Sequence, residues 1–149
     1  MFINKKDISK PWKNHKGKNA PFIAIPSPLY YAPLPEEIQK INKFYHEEFI
    51  NKNDIEYKKQ WNCCKFAESY KIMANLYFNK FMNKDAYSLA VGSVYMLRKK
   101  DKNAYIPHVM NIIFYQDYDR GLKYNFFEIG NIAENITKKE FNSIELIIF

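Results

Sequence analysis

The strongest constraint on the fold of this chain is a change in the spacing of its apolar residues near position 85. Between Cys63 and Phe81, apolar side chains recur every three or four residues, which is typical of a helix with one buried face. Asn62 precedes this segment and is a favourable N-cap. From Tyr87 onward, runs of apolar and alternating residues indicate β-strands. The sequence therefore predicts a helix followed by strands.

The rest of the chain extends this pattern. Pro35 begins a second predicted helix that has acidic residues in its first turn. Residues 21–35 hold five prolines, which favour an extended segment rather than a helix or a central strand. Strands are predicted at residues 87–97, 105–115, 122–129 and 143–149. We therefore expect an α+β fold in which N-terminal helices pack on a C-terminal antiparallel sheet.

The length and the charge distribution suggest one domain preceded by a basic arm. A chain of 149 residues is near the usual size of a single domain. Residues 1–20 contain six lysines against Asp7, whereas the remaining residues are close to neutral. We expect a basic N-terminal arm at residues 1–20 and a single α+β domain at residues 21–149. The arm is either a solvated tail or a contact for nucleic acid or another acidic partner.

Cysteines and histidines limit the cofactors and the compartment. Cys63 and Cys64 are adjacent, and adjacent cysteines do not form an ordinary disulfide without strain. This favours a reducing compartment, and a cytoplasmic location is expected. The three histidines show no zinc-ligand spacing with the cysteines, so no metal or other cofactor is expected. Neither a signal peptide nor a membrane-spanning stretch is visible, and the residue bias is typical of a low-GC bacterium or its phage.

Two predicted strands bring a histidine close to a glutamate. If their turn centres on Tyr118, His108 lies opposite Glu128 and the other pairs on that face are apolar. The other face, which carries Asn111 and Lys123, is more polar. A carboxylate at this distance can orient an imidazole. The hairpin therefore predicts a His–Glu pair at one end of the sheet.

Cys63 is the candidate nucleophile of the chain. As the first residue of its helix it lies at the positive end of the helix dipole, which favours a thiolate. The apolar stripe directs it toward the sheet, where a histidine held by a carboxylate would complete an activated nucleophile. Spacing alone does not establish a contact between Cys63 and His108.

The segment around Cys63 resembles a known family. In papain-fold and bacterial transglutaminase-like cysteine peptidases, a Cys-x-x-Phe/Tyr-Ala run opens the central helix. Cys63, Phe66 and Ala67 match this run within NCCKFAESY, and the resemblance covers about residues 60–131. It implies a papain- or transglutaminase-like layout.

The resemblance also implies a role for each site residue. Cys63 would attack a carbonyl, His108 would carry the proton, and Glu128 would orient His108. Gln60 or Trp61 would add an oxyanion donor beside the Cys63 backbone N–H. In this sequence Cys64 and Lys65 replace the acidic residue that is common after the nucleophile, and Glu replaces the commoner Asp or Asn as third member. Because of these departures, the chain could be an active enzyme or an inactive relative of this family.

Two functions follow from these observations. The first is a cysteine hydrolase or acyl-transferase that acts on an amide, isopeptide or related acyl bond of a peptide or protein. The alternative is a non-catalytic binding protein, bacterial or phage-encoded, that docks on an acidic partner or nucleic acid through the basic arm. Each site residue also has a purely structural interpretation. Cys63 suits a hydrophobic core, His108 suits a buried position with hydrogen-bond partners, and Glu128 suits the exposed end of a strand.

Overall fold

The sheet that dominates the fold is built from strands at both ends of the chain. The computed structural model describes residues 1–13, 21–56, 62–82, 84–102, 104–119, 121–133 and 136–149. The elements of the first half are β1 (Phe2–Ile3), α1 (Lys5–Ser9), β2 (Phe22–Ala24), β3 (Tyr30–Tyr31), α2 (Pro35–Tyr45) and α3 (Cys63–Tyr77). Those of the second half are β4 (Ser88–Leu89), β5 (Val91–Lys99), β6 (Tyr105–Asp117), β7 (Gly121–Glu128), β8 (Asn131–Ile132), α4 (Lys138–Asn142) and β9 (Leu146–Ile148).

Six strands form the main sheet in the order β2-β9-β5-β6-β7-β8. β2 runs parallel to β9, and the other neighbours are antiparallel. β1, β3 and β4 form a separate three-stranded sheet. β6, the longest strand, lies between β5 and β7, so its residues are paired on both sides.

Local signals explain where the two long helices begin. The side chain of Asn62 accepts a hydrogen bond from the backbone N–H of Lys65 at 3.3 Å, which caps α3 as the sequence predicts. Pro35 is the first residue of α2, and Glu37 accepts a hydrogen bond from the Leu34 backbone N–H at 2.8 Å. Each helix ends in a short π-helical turn, at His46–Asn51 and Phe78–Met82. No helix of the described residues is long and apolar enough to cross a membrane.

Apolar side chains cover both faces of the main sheet. α3 packs against β5 and β6, and α2 packs against α3. On this face Tyr70 of α3 lies in one buried cluster with Ile113 and Phe127. On the opposite face Phe114 and Trp12 belong to a second cluster. Because successive strand residues point to opposite faces, neighbouring apolar residues of β6 fill both cores.

The expected layout of N-terminal helices on a C-terminal antiparallel sheet is wrong. β2 comes from the first part of the chain and joins the main sheet, which is mixed because β2 runs parallel to β9. The second sheet also draws two of its three strands from the first part. Phe22 pairs with Leu146, and a contact between such distant residues leaves no local pattern in the sequence.

Residues 1–13 pack on the body of the protein. Ile3, Ile8 and Trp12 are each buried in the same cluster as Phe114. Asn4 caps α1, since its side chain accepts hydrogen bonds from two backbone N–H groups. This part of the expected arm is therefore anchored by three apolar side chains. The expected boundary at residue 20 lies outside the described residues, and the division into arm and domain stays a prediction.

Candidate functional site

A cavity of about 300 Å³ opens between the start of α3 and the sheet. This is at the lower end of the size range of small-molecule sites. The lining combines an apolar floor with a few polar side chains. The lining residues are Cys63, Phe66, Ala67, His108, Val109, Met110, Asn111, Phe127, Glu128 and Ile129.

Hydrogen bonds from the sheet hold α3 in place beside the cavity. The Asn111 side-chain amide donates to the Ala67 carbonyl at 2.9 Å and to the Gly92 carbonyl at 3.4 Å. Ser93 donates to the Glu68 carboxylate at 2.9 Å. Asn111 is 1% exposed, so its hydrogen bond to Ala67 is shielded from water, whereas the Glu68 side chain that accepts from Ser93 is 44% exposed. These contacts fix the helix that begins at Cys63.

His108 and Glu128 meet, but in a different register from the one expected. The His108 Nε2 and Glu128 Oε1 atoms are 2.5 Å apart. In the observed ladder Asn111 pairs with Phe127 and Ile112 with Phe126, which is a shift of two residues from the expected pairing. An even shift leaves every side chain on its expected face, because the period of a strand is two. His108 and Glu128 are therefore diagonal neighbours that long side chains can join.

An ion-pair network extends from Glu128 away from the cavity. The Arg98 Nη2 atom lies 3.9 Å from Glu128 Oε2, and its Nη1 atom lies 3.4 Å from Glu140 Oε1. Glu140 is 2% exposed. Its carboxylate also accepts hydrogen bonds from the backbone N–H groups of Lys99 at 2.9 Å and Thr137 at 2.8 Å. Arg98 therefore connects the His–Glu pair to a fixed, buried carboxylate.

The electrostatics of Glu128 follow from these neighbours. The hydrogen bond from His108 does most to hold the pKa of the Glu128 carboxyl below its usual range, although partial burial acts to raise it. The positive charges of His108 and Arg98 lower the pKa further, while Glu140 opposes them. Glu128 is therefore ionised at neutral pH and accepts hydrogen bonds.

We expect replacement of His108 by alanine to raise the pKa of Glu128. The variant removes the largest lowering contribution and leaves the burial that raises the pKa. The measurement is a carbon-detected NMR titration of the glutamate carboxyl groups between pH 2 and 7. Ile106→Ser is the matched control, because Ile106 is an exposed residue of the same strand. A Glu128 titration that stays the same in His108→Ala contradicts the pairing.

The structure brings the three predicted site residues to one cavity. Cys63, His108 and Glu128 all line it. Both cysteines are free thiols, with Cys63 half-buried and Cys64 exposed. Gln60 and Trp61, the expected oxyanion donors, lie outside the described residues. No group of three or more His, Cys, Asp or Glu side chains in the described part of the chain could hold a metal ion.

Sequence reasoning missed the polar residues that support the cavity. Asn111 was expected on the more polar face of the hairpin, yet that face is covered by α3 and Asn111 is buried. An amide within the apolar run VMNIIF is the signal that could have identified it, since a buried polar side chain requires partners. Arg98 and Glu140 left no such signal, because they are far apart in the chain.

Together these features define a fold dominated by a mixed six-stranded sheet, with a ligand-sized cavity between a helix N-terminus and a strand pair. No protein-family model matches the chain, and no curated protein does. Solved structures do share the fold. One is the Polyporus squamosus lectin bound to the human-type influenza-binding epitope Neu5Acα2-6Galβ1-4GlcNAc, with a TM-score of 0.69 and 12% identity over 99% of this chain. Another is a complex of PSL1a with E64, with a TM-score of 0.68 and 12% identity over 99% of this chain.

The chain spans about half the length of both matched structures, 49% of the first and 51% of the second. At this identity the likeness concerns the fold. We expected the chain to be a member of the papain-fold or transglutaminase-like cysteine peptidases. The fold likeness corrects this expectation, because no family model supports it and the structural match is to a lectin.

The expectations that rested on that membership are corrected with it. These are the cysteine hydrolase or acyl-transferase activity and the peptide or protein amide substrate. The comparison concerns the whole fold rather than individual side chains. The catalytic roles assigned to Cys63, His108 and Glu128 are therefore untested and stay a prediction.

Proposed function

We propose that this chain is a non-catalytic binding protein whose cavity takes one ring of a saccharide. The observation that carries the proposal is the His108–Glu128 pair at a cavity with an apolar floor. A sugar ring presents hydroxyl groups at its edge and C–H groups on its faces. Its binding site therefore needs both polar partners and apolar surface, and this cavity supplies both.

The polar side of the cavity suits hydroxyl groups. Glu128 is an ionised acceptor, and hydrogen bonds to a charged partner are stronger than neutral ones. The hydrogen bond between His108 and Glu128 keeps the imidazole in place at the cavity. The ring nitrogen that is not bonded to Glu128 can donate to or accept from a hydroxyl group, according to its tautomer.

The apolar side of the cavity suits the C–H face of a sugar. Phe66 and Phe127 are buried aromatic residues of the lining, and Val109 also lines the cavity. A volume of about 300 Å³ favours a single ring over a whole oligosaccharide. Longer glycans would then extend from the cavity over the surface.

The fold likeness supports a saccharide as the ligand class. One of the matched structures is a lectin with a bound sialylated trisaccharide. This chain spans half of that protein, so the likeness supports the proposal and does not locate the glycan. We therefore argue the position of the glycan from the cavity of this chain.

We expect Neu5Acα2-6Galβ1-4GlcNAc or its part Galβ1-4GlcNAc to bind, and His108→Ala or Glu128→Gln to weaken binding at least about tenfold. The reason is that one hydrogen bond to a charged group contributes about 1.5–3 kcal/mol, and 1.4 kcal/mol is a factor of ten. Saturation-transfer NMR and calorimetry measure the effect. Tyr87→Ser is the control, because Tyr87 is exposed and does not line the cavity.

Four results would decide against the proposal. If neither saccharide binds, or if binding is unchanged in His108→Ala, the cavity is not the saccharide-binding site. Chemical conversion of the saccharide would contradict the assignment as a non-catalytic protein. A binding protein should keep its saccharide affinity in Cys63→Ser. Affinity that falls steeply with added salt would point instead to the lysines of residues 1–20 and an acidic partner.

A further inference from the structure

Cys63 and Cys64 are two neighbouring thiols at the start of α3, and Cys63 lines the cavity. They are the first two residues of α3, directly after the N-cap Asn62. Cys63 lines the cavity and Cys64 is exposed, and neither is in a disulfide. The neighbouring Cys63 also helps to raise the pKa of the Cys64 thiol. They are also the only cysteines of the chain, so every thiol of this sequence is in this pair.

The geometry of the pair works against a disulfide between its members. Consecutive Cα atoms are about 3.8 Å apart across a trans peptide, whereas disulfide-bonded cysteines usually have Cα atoms about 4.4–6.8 Å apart. Both residues are also held in the first turn of α3, where Asn62 caps the helix. Oxidation of the pair to a disulfide would therefore strain this turn. Both thiols therefore stay free at consecutive positions of the helix.

An atom that bonds to both sulfurs avoids this strain, because it spans a longer separation than a direct S–S bond of about 2.05 Å. It also relieves an electrostatic conflict. Burial raises the pKa of the Cys64 thiol, and the neighbouring Cys63 and Glu68 raise it further. Two separate thiolates are thus disfavoured at this position. One centre that is bonded to both sulfurs removes both protons without leaving two negative charges.

We propose that Cys63 and Cys64 form a dithiol site for a single thiophilic trivalent centre, with monosubstituted arsenic(III) compounds as the ligand class. Two S–H bonds and the As–O bond break, two As–S bonds form, and the oxygen leaves as water with the two protons. No atom changes its oxidation state. The proposal does not rest on the proposed saccharide function, because it needs only the two thiols, although Cys63 lines the same cavity.

The test uses phenylarsine oxide and intact-mass measurement of the whole chain. We expect one phenylarsenic group per chain, with the loss of two hydrogens. A monothiol such as 2-mercaptoethanol should remove it about 10²-fold more slowly from the wild type than from Cys63→Ser or Cys64→Ser, because the second sulfur binds at high effective concentration. The dithiol 2,3-dimercaptopropanol should remove it readily from all three.

A variant with separated thiols controls for the number of cysteines. Cys64→Ser combined with Ile72→Cys keeps two thiols, and Ile72 is an exposed residue of α3. We expect this variant to release the arsenical as fast as the single-cysteine variants. Equal retention by the separated pair, or fast release from the wild type, would overturn the proposal. Circular dichroism of each variant establishes that the helix is intact.

Discussion

Replacement of Arg98 by methionine is expected to lower the free energy of unfolding by about 3 kcal/mol. The variant removes the cation that lies between Glu128 and Glu140. The Glu140 side chain is 3% exposed, so its charge would stay buried without a cation. Loss of one partner from a buried ion pair costs about 3–5 kcal/mol. Because the Arg98 side chain is 22% exposed, the lower end of this range applies.

Urea unfolding at neutral pH, followed by circular dichroism, measures this loss. Lys99→Met is the matched control, because Lys99 is the next residue of β5, carries the same charge and is exposed. It should change the free energy of unfolding by no more than about 0.5 kcal/mol. Arg98→Met combined with Glu140→Gln should cost less than the two single changes added together, since the orphaned charge is absent. Equal losses in Arg98→Met and Lys99→Met would show that the network contributes nothing.

Local chemistry allowed the helix and the strand faces to be predicted. Asn62 has a side chain that caps helices, and the stripe that follows repeats at the helical period, so α3 was predicted from one short segment. Alternation in the hairpin likewise indicated which residues share a face. It could not distinguish two registers that differ by two residues, because both place the same side chains together. The observed ladder, in which Asp117 pairs with Gly121, is the register that the pattern could not distinguish from the expected one.

Distant pairs account for the errors in the fold. β2 and β9 come from opposite ends of the chain and each has only three residues, so neither has a pattern that specifies the other. The polar character of Asn111 suggested a solvated face, although helix α3 covers that face and satisfies the amide. A buried polar side chain and an exposed one look alike in a sequence until their partners are known.

The sequence predicted three residues that line one cavity, and their function stays a prediction. Cys63 was placed by a helix start, and His108 and Glu128 by the faces of one hairpin, so two separate local arguments led to one cavity. A thiol, an imidazole and a carboxylate can take part in catalysis or can bind a ligand. Residue types alone therefore did not distinguish these functions, and a fold does not by itself assign one.

Replacement of Phe127 by alanine is expected to lower the free energy of unfolding by about 3–5 kcal/mol and to weaken saccharide binding as well. Phe127 is 2% exposed, belongs to the core between the sheet and the helices, and lines the cavity. Truncation of a buried phenylalanine loses its transfer free energy and leaves a void. Here the void joins the cavity, so the ligand also loses its apolar contact.

Phe114→Ala separates the two effects of Phe127→Ala. Phe114 is 1% exposed and is a phenylalanine of the same sheet, but it lies in the core on the opposite face and does not line the cavity. We expect a similar loss of stability, about 3–5 kcal/mol in urea unfolding, with no change in saccharide affinity. Equal losses of affinity in both variants would show that binding follows overall stability. A loss confined to Phe127→Ala would show that the floor of the cavity contacts the ligand.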